Sequence, residues 1–520
     1  MHSNSIAKLF TAIVGCLLSV FLIYQILYSR TGGVAMLITC VGIAGAIAAV
    51  VNPKTGLYLT AISTAYVDFG KQVAVYYGEV SQLTIIQVLL VSIACLGGTY
   101  LGIFFRAVVF RTLKLQRSDV ALFGLTAGIC AILFGLNRHS GTAMAAQLAI
   151  NAGLFVGLIP TVAILLKEKE EVLKFVRFLF WTLLPWPIWG IRQHFWGFNQ
   201  LEWDYALTGL SPTTSSFMLS FADPAPTGFG SNPGSYSIIT LFVPLGLWHA
   251  FHYPKRRLLY LLAAVVYYAG CIFSEHRTVL FFPFIALAFY WFCLRPRRTV
   301  AAYVLGLGLF VLGVGFAGYL DQNIARISDF TRSLVPNEWG QTALSLETFS
   351  DRLKGWQRLA EPESYSLVGR LGGGWTGPET TAEASQEYNH DIINKILINF
   401  GVVGLITIII TAWFLLRSLH RLALRTHDAD SRSFAAILVA CVLPMIFLSF
   451  IGGGNLNTNP HNLIYWSLLG AALAMSRLDA VSAPADDSAS AAPTSGPQKS
   501  RWQPLPDCAS SKPWGSISIQ

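Results

Sequence analysis

The sequence predicts an all-α, polytopic membrane protein with about 12–14 transmembrane helices and one large loop on its outer face. Three observations predict it. Hydrophobic residues make up 54% of the 520 and charged residues only 12%, about half the roughly 25% charged share of a soluble domain. Apolar runs recur along most of the chain, each near the ~20 residues that cross about 30 Å of hydrocarbon. Basic residues concentrate in alternate short loops, the pattern that orients spans in a bilayer.

Taken in chain order, the predicted spans cover 7–28, 33–51, 57–68, 80–105, 119–137, 143–166, 176–196, 234–252, 258–273, 278–294, 299–320, 390–416, 434–451 and 461–476. The segment 57–68 is the shortest of them. The first run follows Lys8 and meets Ser29-Arg30 without a small-residue cleavage site, so it reads as a retained span rather than a signal peptide. With a cytoplasmic N-terminus, the loops bearing Arg106, Arg111, Lys114 and Arg117, then Lys255 to Arg257, then Arg295, Arg297 and Arg298, then Arg417, Arg421, Arg425 and Arg432 all fall inside. Both termini are then cytoplasmic.

This divides the chain into four parts. Residues 1–320 carry the first eleven spans and an outer loop at 197–233 rich in Thr, Ser, Pro and Gly. Residues 321–389 form the large outer loop, with more acids than bases and the tryptophans Trp339, Trp356 and Trp375. Residues 390–476 hold the last spans. The tail at 477–520, rich in Ala, Ser and Pro, reads as disordered.

Composition also excludes function classes. The formal charge of +9 lies in short loops between spans, where orientation accounts for it, so no nucleic-acid partner is expected. Cys16, Cys40, Cys95, Cys130, Cys271, Cys293 and Cys441 sit in apolar runs and Cys508 is alone in the tail. None makes a CxxC pair, so neither a disulfide framework nor a zinc site is expected. The middles of the spans hold almost no Asp, Glu, Lys or Arg, whereas ion-coupled transporters place such groups near the midplane. Polar character gathers instead at the outer ends of spans.

The stretch EYNHDIINKILINFGVVGLI at 387–406 concentrates that polarity. Asn389 can cap the helix and put His390 in its first turn. There the helix dipole disfavours imidazolium, while Asp391 favours it. His390, Asn394, Gly401 and Gly404 share roughly one face, and the glycines permit close approach of a second helix. On its own the segment reads either as an interfacial polar collar or as a base held at a membrane surface.

Several stretches resemble the O-antigen ligase and O-antigen polymerase superfamily of bacterial membrane glycosyltransferases. His390 is followed by Gly401 and Gly404 at the family's eleven- and fourteen-residue spacing. SDRLKGWQRL (350–359) and VGRLGGGWTGP (368–378) resemble its Arg-x-x-x-Trp segment and glycine-rich turn. FGSNPGSYSIITLFVPLGL (229–247) is similar to its Gly- and Pro-marked start of a span, and SEHRTVLFF (274–282) to its short outer hairpin with a functional arginine. The match covers roughly residues 185 to 420. The chain departs from the family in having Asp391 where Asn is usual, and Pro226-Thr227-Gly228 where an arginine often stands.

The resemblance implies a GT-C-like fold and a metal-independent, inverting glycosyltransferase with no cofactor. It would transfer or polymerise undecaprenyl-diphosphate-linked oligosaccharide on the periplasmic face of the inner membrane. The acceptor is a glycan or lipid A-core, and other proteins of polysaccharide assembly are expected partners. His390 would take the acceptor proton, and Arg277 would neutralise the departing diphosphate. Arg352, Arg370, Arg192, Asp391, Asn394 and His461 would line the substrate site, Arg192 standing in for the missing family arginine. Each has an ordinary reading beside it. Arg277 and Arg192 suit an interfacial arginine, and Arg352 and Arg370 suit ion pairs with loop acids. His461-Asn462 lacks the glycine spacing. Asp428-Ala429-Asp430 resembles a metal-holding triplet of nucleotide-sugar transferases, yet sits in a basic loop and reads as solvated. The alternative function is a polysaccharide transporter or lipid-linked glycan flippase that makes no bond.

Overall fold

The computed structural model describes residues 33–77, 80–137, 149–210, 226–230, 233–274, 277–294, 428–452 and 459–482, with isolated helical positions at 142, 146, 402 and 406. The expected spans at 7–28, 299–320 and 390–416, the large loop and the tail lie outside the described residues or nearly so. All described residues belong to one compact unit, Met1–Ser482. Among them there is no strand.

Five helical stretches among the described residues are long and apolar enough to cross a membrane: Val34–Val51, Gln82–Val109, Gly234–His252, Pro254–Phe273 and Ala429–Ile446. The protein is an all-α membrane protein. Their surroundings differ. Only 17% of Val34–Val51 is buried, against 83% of Gly234–His252, so the first is largely exposed and the second is enclosed by its neighbours.

The chain begins its described course with α1 (Gly33–Val51), α2 (Pro53–Ala65), α3 (Val67–Tyr77) and α4 (Gln82–Phe104). The start of α2 follows from local chemistry: Asn52 accepts the Lys54 backbone N–H and Pro53 occupies the first helical position. The short expected span at 57–68 is therefore longer, interrupted at Tyr66 and continued by α3. Helix α4 packs along α1 through small residues. Cβ atoms added at Gly98 and Gly102 would lie 2.6 Å and 2.7 Å from the carbonyl oxygens of Ala46 and Val50, so the backbones touch.

Next come α5 (Arg117–Asn137), an irregular passage of π and 3-10 turns over Ala149–Gly157, and α6 (Leu158–Leu165). The expected span at 176–196 is two helices, α7 (Lys169–Leu183) and α8 (Pro185–Trp196). Pro185 has no N–H to continue the ladder. A short surface helix, α9 (Gln200–Leu207), follows. A one-turn helix Pro233–Tyr236 and a 3-10 turn then lead into α10 (Phe242–His252), followed by α11 (Arg257–Phe273), α12 (Arg277–Cys293), α13 (Ala429–Gly452) and α14 (His461–Ser482). Helix α14, the last described helix, packs on α6, α7 and α13. The core it completes includes Phe180, Phe242, Tyr267 and Tyr465, all fully buried.

Ionic contacts gather the basic loops at one end of the bundle. Lys54 pairs with Glu171 at 2.5 Å, Lys169 with Asp428 at 2.7 Å and Arg477 with Asp119 at 2.6 Å. Arg106 donates to the Val51 carbonyl, and Trp248 to Ser433. The opposite end is made by α3, α8, α9, residues 226–237 and the start of α14.

Asp428 is the N-cap of α13, accepting from the Ser431 backbone N–H and hydroxyl as well as from Lys169. Those bonds, Lys169 first and Ser431 next, hold its carboxyl well below the usual carboxylate range. A depressed pKa means stability present above the unfolded value near ~3.9 and lost as pH falls through the folded value. Asp428→Asn is accordingly expected to flatten the acid limb of the unfolding profile below about pH 4. An unchanged acid limb would contradict it. Because Asp428 is 46% exposed, its contribution at neutral pH is small and falls further with salt.

Candidate functional site

The opposite end carries a buried polar network built on α8 and α9. Asn199 and Glu202 form a capping box: the Asn199 side chain accepts the Glu202 N–H at 3.0 Å, and the Glu202 carboxylate accepts the Asn199 N–H at 2.6 Å. Glu202 is 1% exposed. Its carboxylate also accepts from Trp189 Nε1 at 2.8 Å, from Arg192 Nη1 at 3.2 Å and from the Gln193 amide. Four donors on one carboxylate offset the cost of burying its charge.

Gln193 extends the network to the turn at 226–230. Its Oε1 accepts the backbone N–H groups of Thr227 and Gly228 at 2.9 Å and 2.8 Å. Its Nε2 lies 3.0 Å from the Gly228 carbonyl and 3.2 Å from the Thr227 hydroxyl. The turn thus has its peptide groups satisfied by one side chain, as buried backbone requires. Gly228 adopts φ +60°, a left-handed conformation that favours glycine. Phe229 stacks on Trp189 at 4.9 Å and meets Phe69 and Tyr66 edge-on.

Tyr236 locks this turn to the bundle. Its ring fills the space beside Gly190 and Gly228, where added Cβ atoms would come within 2.2 Å and 2.6 Å of it. Its hydroxyl donates to the Pro187 carbonyl. One residue on, Ser237 donates to the Gly234 carbonyl at 2.7 Å and lies 2.9 Å from His461 Nε2. His461 and Ser237 thus hold α14 against the approach to α10.

Of the residues expected in the site, the structure describes few. Arg192 projects from α8 with 29% of its side chain exposed, one Nη held by Glu202 and the guanidinium over the Trp189 ring at 5.2 Å. His461 is fully buried at the first position of α14. Arg277 is the first residue of α12, and its side chain is outside the description. His390, Arg352, Arg370, Asp391 and Asn394 lie outside the described residues. No family model, curated protein or solved structure matches this chain.

The structure adds residues the sequence reading passed over: Glu202, Gln193 and Trp189. Glu202 carried a usable signal, the Asn199-x-x-Glu202 capping pattern. Gln193 carried none, because its partners lie 34 and 35 residues further on. Asp428, the first acid of the 428–430 triplet, caps α13 and pairs with Lys169. Among the described residues no group of His, Cys, Asp and Glu side chains could hold a metal ion.

Proposed function

We propose that the protein is an inner-membrane, metal-independent, inverting glycosyltransferase of the O-antigen ligase or polymerase kind, acting on undecaprenyl-diphosphate-linked oligosaccharide at the periplasmic face with both termini cytoplasmic. One observation carries the reading. The family's missing arginine would stand at Pro226-Thr227-Gly228, and Gln193 bonds that same turn. Arg192, which shares the Glu202 carboxylate with Gln193, would then supply the guanidinium that the resemblance requires at that turn. A guanidinium there offers paired N–H groups to diphosphate oxygens and stays charged at any working pH.

In this reading His390 takes the acceptor proton as the hydroxyl attacks the anomeric carbon. The donor's C–O bond to diphosphate breaks with its electron pair leaving on oxygen, and Arg277 and Arg192 neutralise the growing charge. The large loop, with Arg352 and Arg370, would hold the acceptor glycan or lipid A-core. Asp391 and Asn394 would orient the reacting groups. Asp119 and Glu202, buried acids among the described residues, lie near helix ends, which supports surface chemistry, while Asp68 sits beside the break at Tyr66 and is paired with Lys71.

The test uses purified protein, a defined undecaprenyl-diphosphate glycan, and either a lipid A-core or a second donor as acceptor. Wild type is expected to form product without added metal. His390→Ala, inserted at wild-type levels, is expected to lose at least about 100-fold in rate and to accumulate donor in the outer leaflet. Normal product from His390→Ala sinks the assignment of the base. Accumulation in the inner leaflet favours a flippase instead.

A further inference from the structure

We propose that Glu202 is a positioning residue that seats the Arg192 guanidinium on Trp189, so that its remaining N–H groups grip two oxygens of a phosphate-type anion. Arg192 has one Nη committed to Glu202 at 3.2 Å. Its Nε and second Nη have no partner among the described residues, and 29% of the side chain is exposed. The Trp189 ring supports the guanidinium from one side at 5.2 Å and donates to the same carboxylate. Both contacts to Arg192 are thus fixed by Glu202.

Arg192 is not the only group that holds the seat. The Asn199 N–H, Trp189 Nε1 and Gln193 Nε2 are neutral donors to the same carboxylate. This is the arrangement expected of a carboxylate that orients an arginine: fixed by other groups, with one edge left for the guanidinium. The same carboxylate ties Gln193, and through it the 226–230 turn, to the seat. Anion binding at Arg192 and the shape of that turn are therefore coupled.

The identity of the anion as a prenyl diphosphate rests on the proposed function; the seating of Arg192 does not. The experiment is calorimetric titration of the full-length protein in nanodiscs of neutral phosphatidylcholine, with farnesyl diphosphate and inorganic pyrophosphate as probes. Wild type is expected to bind farnesyl diphosphate. Arg192→Ala and Glu202→Gln are each expected to weaken it about tenfold, near 1.4 kcal/mol, and the double variant no more than Arg192→Ala alone. Arg192→Lys retains the charge but not the fork, and is expected to weaken binding with an unchanged unfolding temperature. That variant separates a binding role from a folding one.

Additive losses in the double variant overturn the proposal, as does an Arg192→Lys protein that binds like wild type, or a wild type that binds neither probe. Nanodiscs with phosphatidylglycerol that block the probe through Arg192 support the seat and identify a lipid headgroup as its phosphate source. A wild type that shows this dependence yet forms no glycan product leaves the seat standing and removes the transferase reading.

Discussion

Gly98→Leu is expected to destabilise the protein by about 3 kcal/mol or more, near the upper end of overpacking costs. A Cβ at this position would lie 2.6 Å from the Ala46 carbonyl oxygen and 3.0 Å from the Ala49 methyl. Neither neighbour is the end of a flexible chain, so α1 and α4 must separate along their length. Gly102, one turn on, repeats the contact against Val50 and Pro53, and Gly45 faces Cys95 from the other helix. The seam is thus made by small residues on both sides, and no rotamer change can relieve an added leucine. Gly97 supplies the control: nothing lies within 4 Å of its Cβ position, and Gly97→Leu is expected to shift stability by less than about 0.5 kcal/mol. Thermal unfolding of both variants in detergent, followed by the loss of monodisperse protein, checks the pair. Equal unfolding temperatures would remove the argument for backbone contact.

Arg477→Met has the second largest expected effect. Asp119 is nearly buried, with 2% of its side chain exposed, and Arg477 lies 2.6 Å from it. Among the described residues, the other carboxylate oxygen accepts only the Gln116 backbone N–H at 2.9 Å. Removing the arginine leaves a buried carboxylate short of a partner, which costs about 3–5 kcal/mol. The penalty belongs to the orphaned charge rather than to the attraction lost. Asp119→Asn in the same chain is therefore expected to restore most of the stability, a coupling that a double-mutant cycle measures. An Arg477→Met protein as stable as wild type would show that Asp119 finds another donor.

The fold was legible in the sequence wherever one local property decided it. The expected span at 80–105 is Gln82–Phe104 and that at 258–273 is Arg257–Phe273, since an unbroken apolar run leaves a helix little choice in hydrocarbon. Hydropathy averages over breaks, however. Averaging hid the interruption at Tyr66 and the division of 176–196 at Pro185, where side-chain apolarity is continuous but the hydrogen-bond ladder is not. At the site, Arg192 was legible as a cation near an interface. Its seat was not, for two reasons. The outer loop at 197–233 reads as turn-forming residues and masks the helix within it. Gln193 and the 226–230 turn meet only after α8 and the approach to α10 have packed side by side.

The contacts made by α14 set an order on how the protein is built. This helix leaves the ribosome long after α6 and α7, on which it rests. Its Arg477 closes onto a residue 358 positions earlier, and Lys169 waits 259 positions for Asp428. During synthesis the early helices must sit in the bilayer with an apolar flank against lipid and with Asp119 and Lys169 still solvated at the surface. Final docking then buries that flank and both ends of α14 in one step. A nascent chain stopped before residue 461 would be an inserted but unfinished bundle, and such intermediates are natural substrates for membrane quality control.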